Sequence, residues 1–255
     1  MICSDLDGTI LTYDQTELSN RLIEQIRELN RRGILFVPAS GRQIVSIEKL
    51  FEPVKDCCNY LCSNGSVICD SKSEIIAKIP MPREDAMELA YDFLERTDGR
   101  GEVNISGPKC CYLLSRGLGM VERVRFIGSS YQVIDKPEQV EDDIVKVSVY
   151  LPDGADKYIN RFSEKWKAYN ADVAGPYWID TTLANKGIGV KKLCELKGIA
   201  PEEVMAFGDN YNDVSMLDTV GRPYIVSGAV QELLDRYAQH ADSVEDVLDE
   251  FIRSL

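Results

Sequence analysis

The sequence predicts an α/β fold: a parallel-sheet core with helices on both faces, interrupted by an inserted α/β domain of α+β character. Three observations carry this. In residues 1–80 and again in 183–255, short apolar runs alternate with amphipathic stretches, as in strand–helix–strand units joined by right-handed crossovers. Between them, residues 81–182 pair strand-like runs around Gly107-Pro108 and Gly175-Pro176, as hairpins do. With 255 residues, 44% of them hydrophobic, the chain is long for one domain and comfortable for a split core plus an insertion.

The elements follow in order. Met1–Ser4 is a strand. Ser19 caps a helix with Leu22, Ile23, Ile26 and Leu29 on one face, ended by Gly33. Ile34–Pro38 is the next strand, and a helix runs through Ile44, Ile47 and Leu50. Tyr60–Cys62 is a strand, with Asn64-Gly65 as a turn before the hairpin-like runs Val67–Cys69 and Ile75–Ile79. The insertion opens on an amphipathic helix, Pro82–Thr97, followed by hairpin strands Glu102–Ser106 and Cys110–Leu114. Val145–Leu151 alternates as a strand, Tyr158–Trp166 reads as a helix, and Val173–Ala174 with Tyr177–Ile179 as a second hairpin. The α/β rhythm returns with a helix over Val190–Leu196, strands Val204–Phe207 and Tyr224–Val226, and helices Val230–Tyr237 and Val244–Ile252. His240, placed with the late helix, is given no role.

Lys and Arg number 29 against 42 Asp and Glu, a net charge of −13. Such a field disfavours nucleic acid and acidic membranes as partners. The eight cysteines form no CxxC pair, and one histidine cannot complete a zinc set. They read as reduced, buried thiols, with Cys57-Cys58 and Cys110-Cys111 as weak redox candidates. No apolar run approaches the length of a membrane span or a signal peptide. The expected setting is cytoplasmic, as a monomer or homodimer.

Four sites carry chemistry, each just after a core strand or where the insertion returns: Asp5-Leu-Asp7-Gly-Thr9, Ser40-Gly-Arg42, Lys186, and Gly208-Asp209 with Asn212-Asp213. Asp is depleted in strands, and two aspartates this close repel unless a cation sits between them. In an open parallel sheet, loops after the strands converge at their carboxyl ends, where ligands bind. Several carboxylates, a hydroxyl, a lysine and an arginine suit phosphoryl transfer assisted by a hard cation.

In their order, with a large insertion between the second and third, these motifs resemble the haloacid dehalogenase-like superfamily and, within it, the Cof-type, class IIB sugar-phosphatase branch. The resemblance covers essentially the whole chain. It implies a Rossmann-like core, a cap that closes over the site, Mg²⁺ as cofactor, and a small phosphorylated metabolite as substrate. Asp5 is then the nucleophile and a metal ligand. Asp7 is the general acid–base, its backbone carbonyl on the metal. Asp209 is the second carboxylate ligand, and Asn212 and Asp213 orient the metal's waters, with Asp213 counted among its ligands. Ser40, Gly41, Thr9 and the Leu6 amide face the phosphoryl oxygens, and Lys186 neutralises their charge. Arg42 either orients Asp7 or touches substrate. After Tyr224–Val226 the family usually places Gly-Asn-Ala; here Ser227-Gly-Ala229 stands instead, a departure that leaves the catalytic positions intact. The competing readings are a phosphomutase of the same superfamily, a receiver-type signalling domain, which would need about half this length and no cap, and a non-catalytic sugar-phosphate-binding regulator.

Overall fold

A strand of three buried residues, β1 (Ile2–Ser4), begins the computed structural model, which describes residues 1–11, 15–162, 164, 166–174 and 176–255. Helix α1 (Asn20–Arg31) follows. The Ser19 hydroxyl accepts its Leu22 amide at 3.0 Å, which satisfies one of the free donors at a helix start. Leu22, Ile23, Ile26 and Leu29 form its buried face. Bonds from Gly33 N to Asn30 O and from Ile34 N to Leu29 O close its end. Next come β2 (Phe36–Pro38), α2 (Ile44–Leu50), β3 (Tyr60–Cys62), β4 (Val67–Cys69) and β5 (Ile75–Lys78). Strands β3, β4 and β5 form a small sheet, and β3 touches the β2 segment through the parallel bridges Phe36–Cys58 and Ala39–Leu61.

The inserted unit spans Lys78–Ala184. It contains α3 (Arg83–Arg96), β6 (Glu102–Ser106), β7 (Cys111–Leu114), α4 (Met120–Phe126), β8 (Tyr131–Val133), β9 (Lys146–Tyr150), α5 (Ile159–Phe162), β10 (Asp172–Val173) and β11 (Trp178–Thr181). Its six strands run in the order β10-β11-β9-β6-β7-β8, antiparallel except where β7 meets β8. One face of that sheet (Val103, Ile105, Val147, Val149, Ile179) packs with Phe93 and Phe162, whose rings meet edge to face at 4.8 Å.

The first unit resumes at Asn185 with α6 (Lys186–Lys197), β12 (Met205–Gly208), α7 (Val214–Leu217), β13 (Arg222–Val226), α8 (Gln231–Arg236), β14 (His240–Ala241) and α9 (Val244–Ser254). Its main sheet has the order β14-β13-β12-β1-β2, parallel throughout. The register pairs Ser4 with both Phe207 and Pro38. Strands β1, β2 and β12 therefore end within a residue of one another, and residues one or two positions beyond them, Asp5, Ser40 and Asp209, leave the sheet along one edge.

The structure departs from the sequence reading at several points. The units divide at Ala77/Lys78 and Ala184/Asn185 rather than at 80/81 and 182/183. Lys78 pairs with Asp143 of the insertion, and Met81 N bonds Ile144 O. Helix α4 and strand β8 were not anticipated. The helix read over Tyr158–Trp166 is only α5, Ile159–Phe162, with residues 163 and 165 outside the described ones, as is Gly175 in the second hairpin. His240 lies in edge strand β14, paired with Ile225, not on a helix.

Candidate active site

Asp5 follows β1 and is 6% exposed. Its amide donates to Phe207 O at 3.0 Å, which continues the parallel ladder one residue past the strand and so fixes the backbone that carries the carboxylate. Leu6 is fully buried, and its carbonyl accepts the amides of Thr9, Ile10 and Leu11. That closes a tight loop in which Gly8 takes φ +103°. A side chain at Gly8 would put its Cβ 2.2 Å from Asp209 Oδ2, so only glycine lets that carboxylate approach.

Asp209 follows β12. One of its oxygens accepts the Thr9 hydroxyl at 2.8 Å; Thr9 thus serves a carboxylate, where the sequence had set it against phosphate. Asp213, in the turn before α7, is fully buried. Its Oδ2 accepts the amides of Asp209 and Asn210 at 3.0 and 3.1 Å, and its Oδ1 accepts Lys186 Nζ at 2.6 Å. Asn212, on the same turn, is exposed.

Lys186 is the first residue of α6, whose cap is the Asn185 side chain. It is completely buried, and its ammonium donates to both Asp5 and Asp213. Burial opposes the charge on this lysine, but the two carboxylates outweigh it and raise its pKa. Asp5 is pushed well above the usual carboxylate range, chiefly by burial; Lys186 pulls it down, while Asp213 and Asp209 push it further up. Asp209 is also raised, again chiefly by burial, with the Thr9 bond opposing.

Asp5, Asp209 and Asp213 bring ligand oxygens within 4.8 Å of one another. Three carboxylates against one ammonium leave the cluster at −3 + 1 = −2 when all are ionised. A buried excess of that size calls for a dication, and an all-oxygen donor set suits a hard one such as Mg²⁺. The residues therefore fit the cation expected from the sequence.

Asp7 lies outside this cluster of side chains. Arg42 grips its carboxylate through two nitrogens, with Nε 2.9 Å from Oδ2, and its side chain is 43% exposed. The structure thus brings Arg42 to Asp7. Ser40 is buried; its amide bonds Leu61 O, its carbonyl accepts Asn64 N, and its hydroxyl accepts the Arg42 amide at 3.2 Å. Gly41 stands between them. Sequence reasoning passed over Gln43, the buried residue before α2, whose amide oxygen and nitrogen have no partner among the described residues. No pattern in the sequence marks it.

A family model described as haloacid dehalogenase-like hydrolase matches residues 2–247. The chain is 24% identical over 263 residues to the 5-amino-6-(5-phospho-D-ribitylamino)uracil phosphatase YbjI of Escherichia coli, covering 98% of this chain and 93% of that protein. It is 22% identical to the HMP-PP phosphatase of Escherichia fergusonii, covering 90% and 84%. Among solved structures, a protein of Eubacterium rectale matches with TM-score 0.87 at 28% identity, over 98% of both chains. The class IIB sugar phosphatase BT4131 shares the fold, with TM-score 0.83 at 18% identity over 98% of both.

Proposed function

The chain belongs to the haloacid dehalogenase-like hydrolase family; from that premise we propose that, like the phosphatases it resembles, it hydrolyses phosphomonoesters of small metabolites, of sugar-phosphate type, with Mg²⁺ and through an aspartyl-phosphate. The observation that carries this is the buried triad Asp5–Lys186–Asp213 with a second aspartate, Asp7, held separately by Arg42.

Asp5, Asp209 and the carbonyl of Asp7 would hold the cation, with Asp213 beside them. When bound, it offsets the repulsion between carboxylate and phosphate and polarises the phosphoryl group. The chain's own groups do the rest. An Asp5 oxygen attacks phosphorus as the ester P–O bond breaks, and Asp7 gives its proton to the departing alkoxide. Lys186, the Ser40 hydroxyl and the Gly41 amide bind the equatorial oxygens, where charge accumulates. Asp7, now a carboxylate, takes a proton from water. The water oxygen adds to phosphorus, the bond to Asp5 breaks, and inorganic phosphate leaves with Asp5 restored. Lys186 orients Asp5 for the first step, and Asp213 holds Lys186.

Eight cysteines, none in a disulfide and six of them buried, support a reducing, cytoplasmic setting, and no helix among the described residues is long and apolar enough to cross a membrane. The test is phosphate release from a panel of phosphorylated metabolites with Mg²⁺ and with EDTA. Release that needs Mg²⁺ and vanishes in Asp5→Asn is expected. Release unaffected by EDTA, or an Asp5→Asn protein at the wild-type rate, overturns the reading. Retention of phosphoryl on a sugar, with little free phosphate, points instead to a mutase.

A further inference from the structure

Asn64 occupies a position that the chemistry above does not use. It is the second of three successive residues in the left-handed region: Ser63 (φ +50°), Asn64 (φ +55°) and Gly65 (φ +88°). Two adjacent non-glycine residues in that region are rare and persist only where their surroundings impose it. The surroundings are on both sides. Ser63 N donates to Arg42 O and Asn64 N to Ser40 O, each at 2.9 Å. Gly65 lies so close to α6 that a Cβ there would stand 2.5 Å from Asn185 O. The tripeptide is therefore fixed between the Ser40–Arg42 loop and the residue preceding Lys186.

This backbone sets the Asn64 side chain over Gly41. A Cβ on Gly41 would lie 3.2 Å from Asn64 Oδ1 and 3.5 Å from Nδ2. The Oδ1 atom is buried with no hydrogen-bond partner among the described residues. A buried acceptor left unpaired is costly, and here it adjoins the loop that the phosphatase reading assigns to the phosphoryl group.

We infer that Asn64 is a specificity-determining residue whose side-chain amide binds a hydroxyl of the leaving alcohol, selecting phosphomonoesters that carry a hydroxyl near the ester. This rests on the phosphatase reading of the same site. The part of a substrate next to its phosphoryl group is the part that meets Asn64. A hydroxyl both donates to an amide oxygen and accepts from the amide nitrogen beside it. An alkyl group does neither, and an ionised carboxylate or phosphate has no proton to donate.

Erythritol 4-phosphate and n-butyl phosphate share a four-carbon chain and differ in hydroxyls, which makes them the test pair. The wild-type protein with Mg²⁺ is expected to show a kcat/KM about tenfold higher for erythritol 4-phosphate, the worth of roughly one hydrogen bond. Asn64→Gly keeps the left-handed backbone accessible. It is expected to lose about that tenfold on erythritol 4-phosphate, mainly through KM, while butyl phosphate stays within about twofold. Equal wild-type efficiency on both esters, or equal losses on both in Asn64→Gly, overturns the inference and leaves the phosphatase reading standing. Failure on both esters by wild-type protein that releases phosphate from the metabolite panel overturns this inference alone; failure on the whole panel removes the phosphatase reading, and this inference with it.

Discussion

Lys186→Met tests the charge balance of the site directly. The ammonium is completely buried and holds two buried carboxylates, Asp5 and Asp213, the latter at 2.6 Å. At that distance and an effective dielectric near 20, one such pair attracts by about 6 kcal/mol before desolvation is counted. Methionine fills the space but leaves the cluster at −3 in place of −2. Breaking a buried pair from one side costs about 3–5 kcal/mol, and that is the expected loss in urea unfolding at pH 8 with EDTA. The deficit has a definite pH dependence. The folded protein already raises Asp5 above its unfolded pKa, so in that window the folded state binds more protons and stability falls as pH rises. Removing Lys186 takes away the charge that lowers Asp5, and the window widens upward. The deficit should therefore shrink at pH 5, where protonation substitutes for the lost cation. Phosphate release should fall by about 10²–10³, the worth of one preorganised donor at a transition state. A loss below about 1 kcal/mol at pH 8, or an equal loss at pH 5 and pH 8, would refute the reasoning.

Gly8→Ala places a Cβ against Asp209 Oδ2 and is expected to weaken Mg²⁺ activation about 10–100-fold, read as the metal concentration for half-maximal rate; an unchanged value contradicts the close approach. Arg42→Lys replaces the two-nitrogen grip on Asp7 with a point charge and should lower kcat about tenfold with KM nearly constant, since general acid–base catalysis is worth about 10²–10⁴; a change in KM alone would make Arg42 a substrate ligand. Glu102→Gln probes the inserted unit. Burial alone would raise this carboxyl, but the Ser115 hydroxyl and the amides of Met120, Leu118 and Arg116 hold it below its ordinary value. A depressed carboxylate stabilises above its unfolded pKa and loses that contribution as pH falls through its folded one. The variant should thus be about 1.5–3 kcal/mol less stable at pH 7 and approach the wild type in acid, followed by circular dichroism.

What the sequence made legible was whatever depends on near neighbours. Ser19 before an apolar face marks the start of α1, and Asp5 and Asp7 stand out because aspartates at a strand exit need a reason. Helix α4 was illegible because its start is capped from far away. The Met120 amide donates to the carboxylate of Glu102, a strand residue with no sequence signal for that duty. The same holds within the site. Asn-Lys-Gly at 185–187 singles out a lysine but not its partners, since Asp5 lies 181 positions away. The family resemblance alone sets Thr9 against phosphate. Its partner, Asp209, is 200 positions on and is brought close only when β12 pairs beside β1.

The division of labour proposed for the site follows from how differently the fold treats two aspartates two residues apart. Asp5 extends a central strand, is buried, and meets an ammonium. A group so enclosed is poorly placed to trade protons with water but well placed to attack, because its position is fixed on the backbone side by Phe207 and on the side-chain side by Lys186. Asp7 is turned outward by the Leu6 loop, with a side chain 43% exposed and oriented by Arg42, as the acid–base role proposed for it requires. Paired carboxylates with contrasting surroundings take contrasting roles. Here the contrast comes from the sheet, since a strand that ends between two parallel neighbours buries the first residue past its end and frees the third.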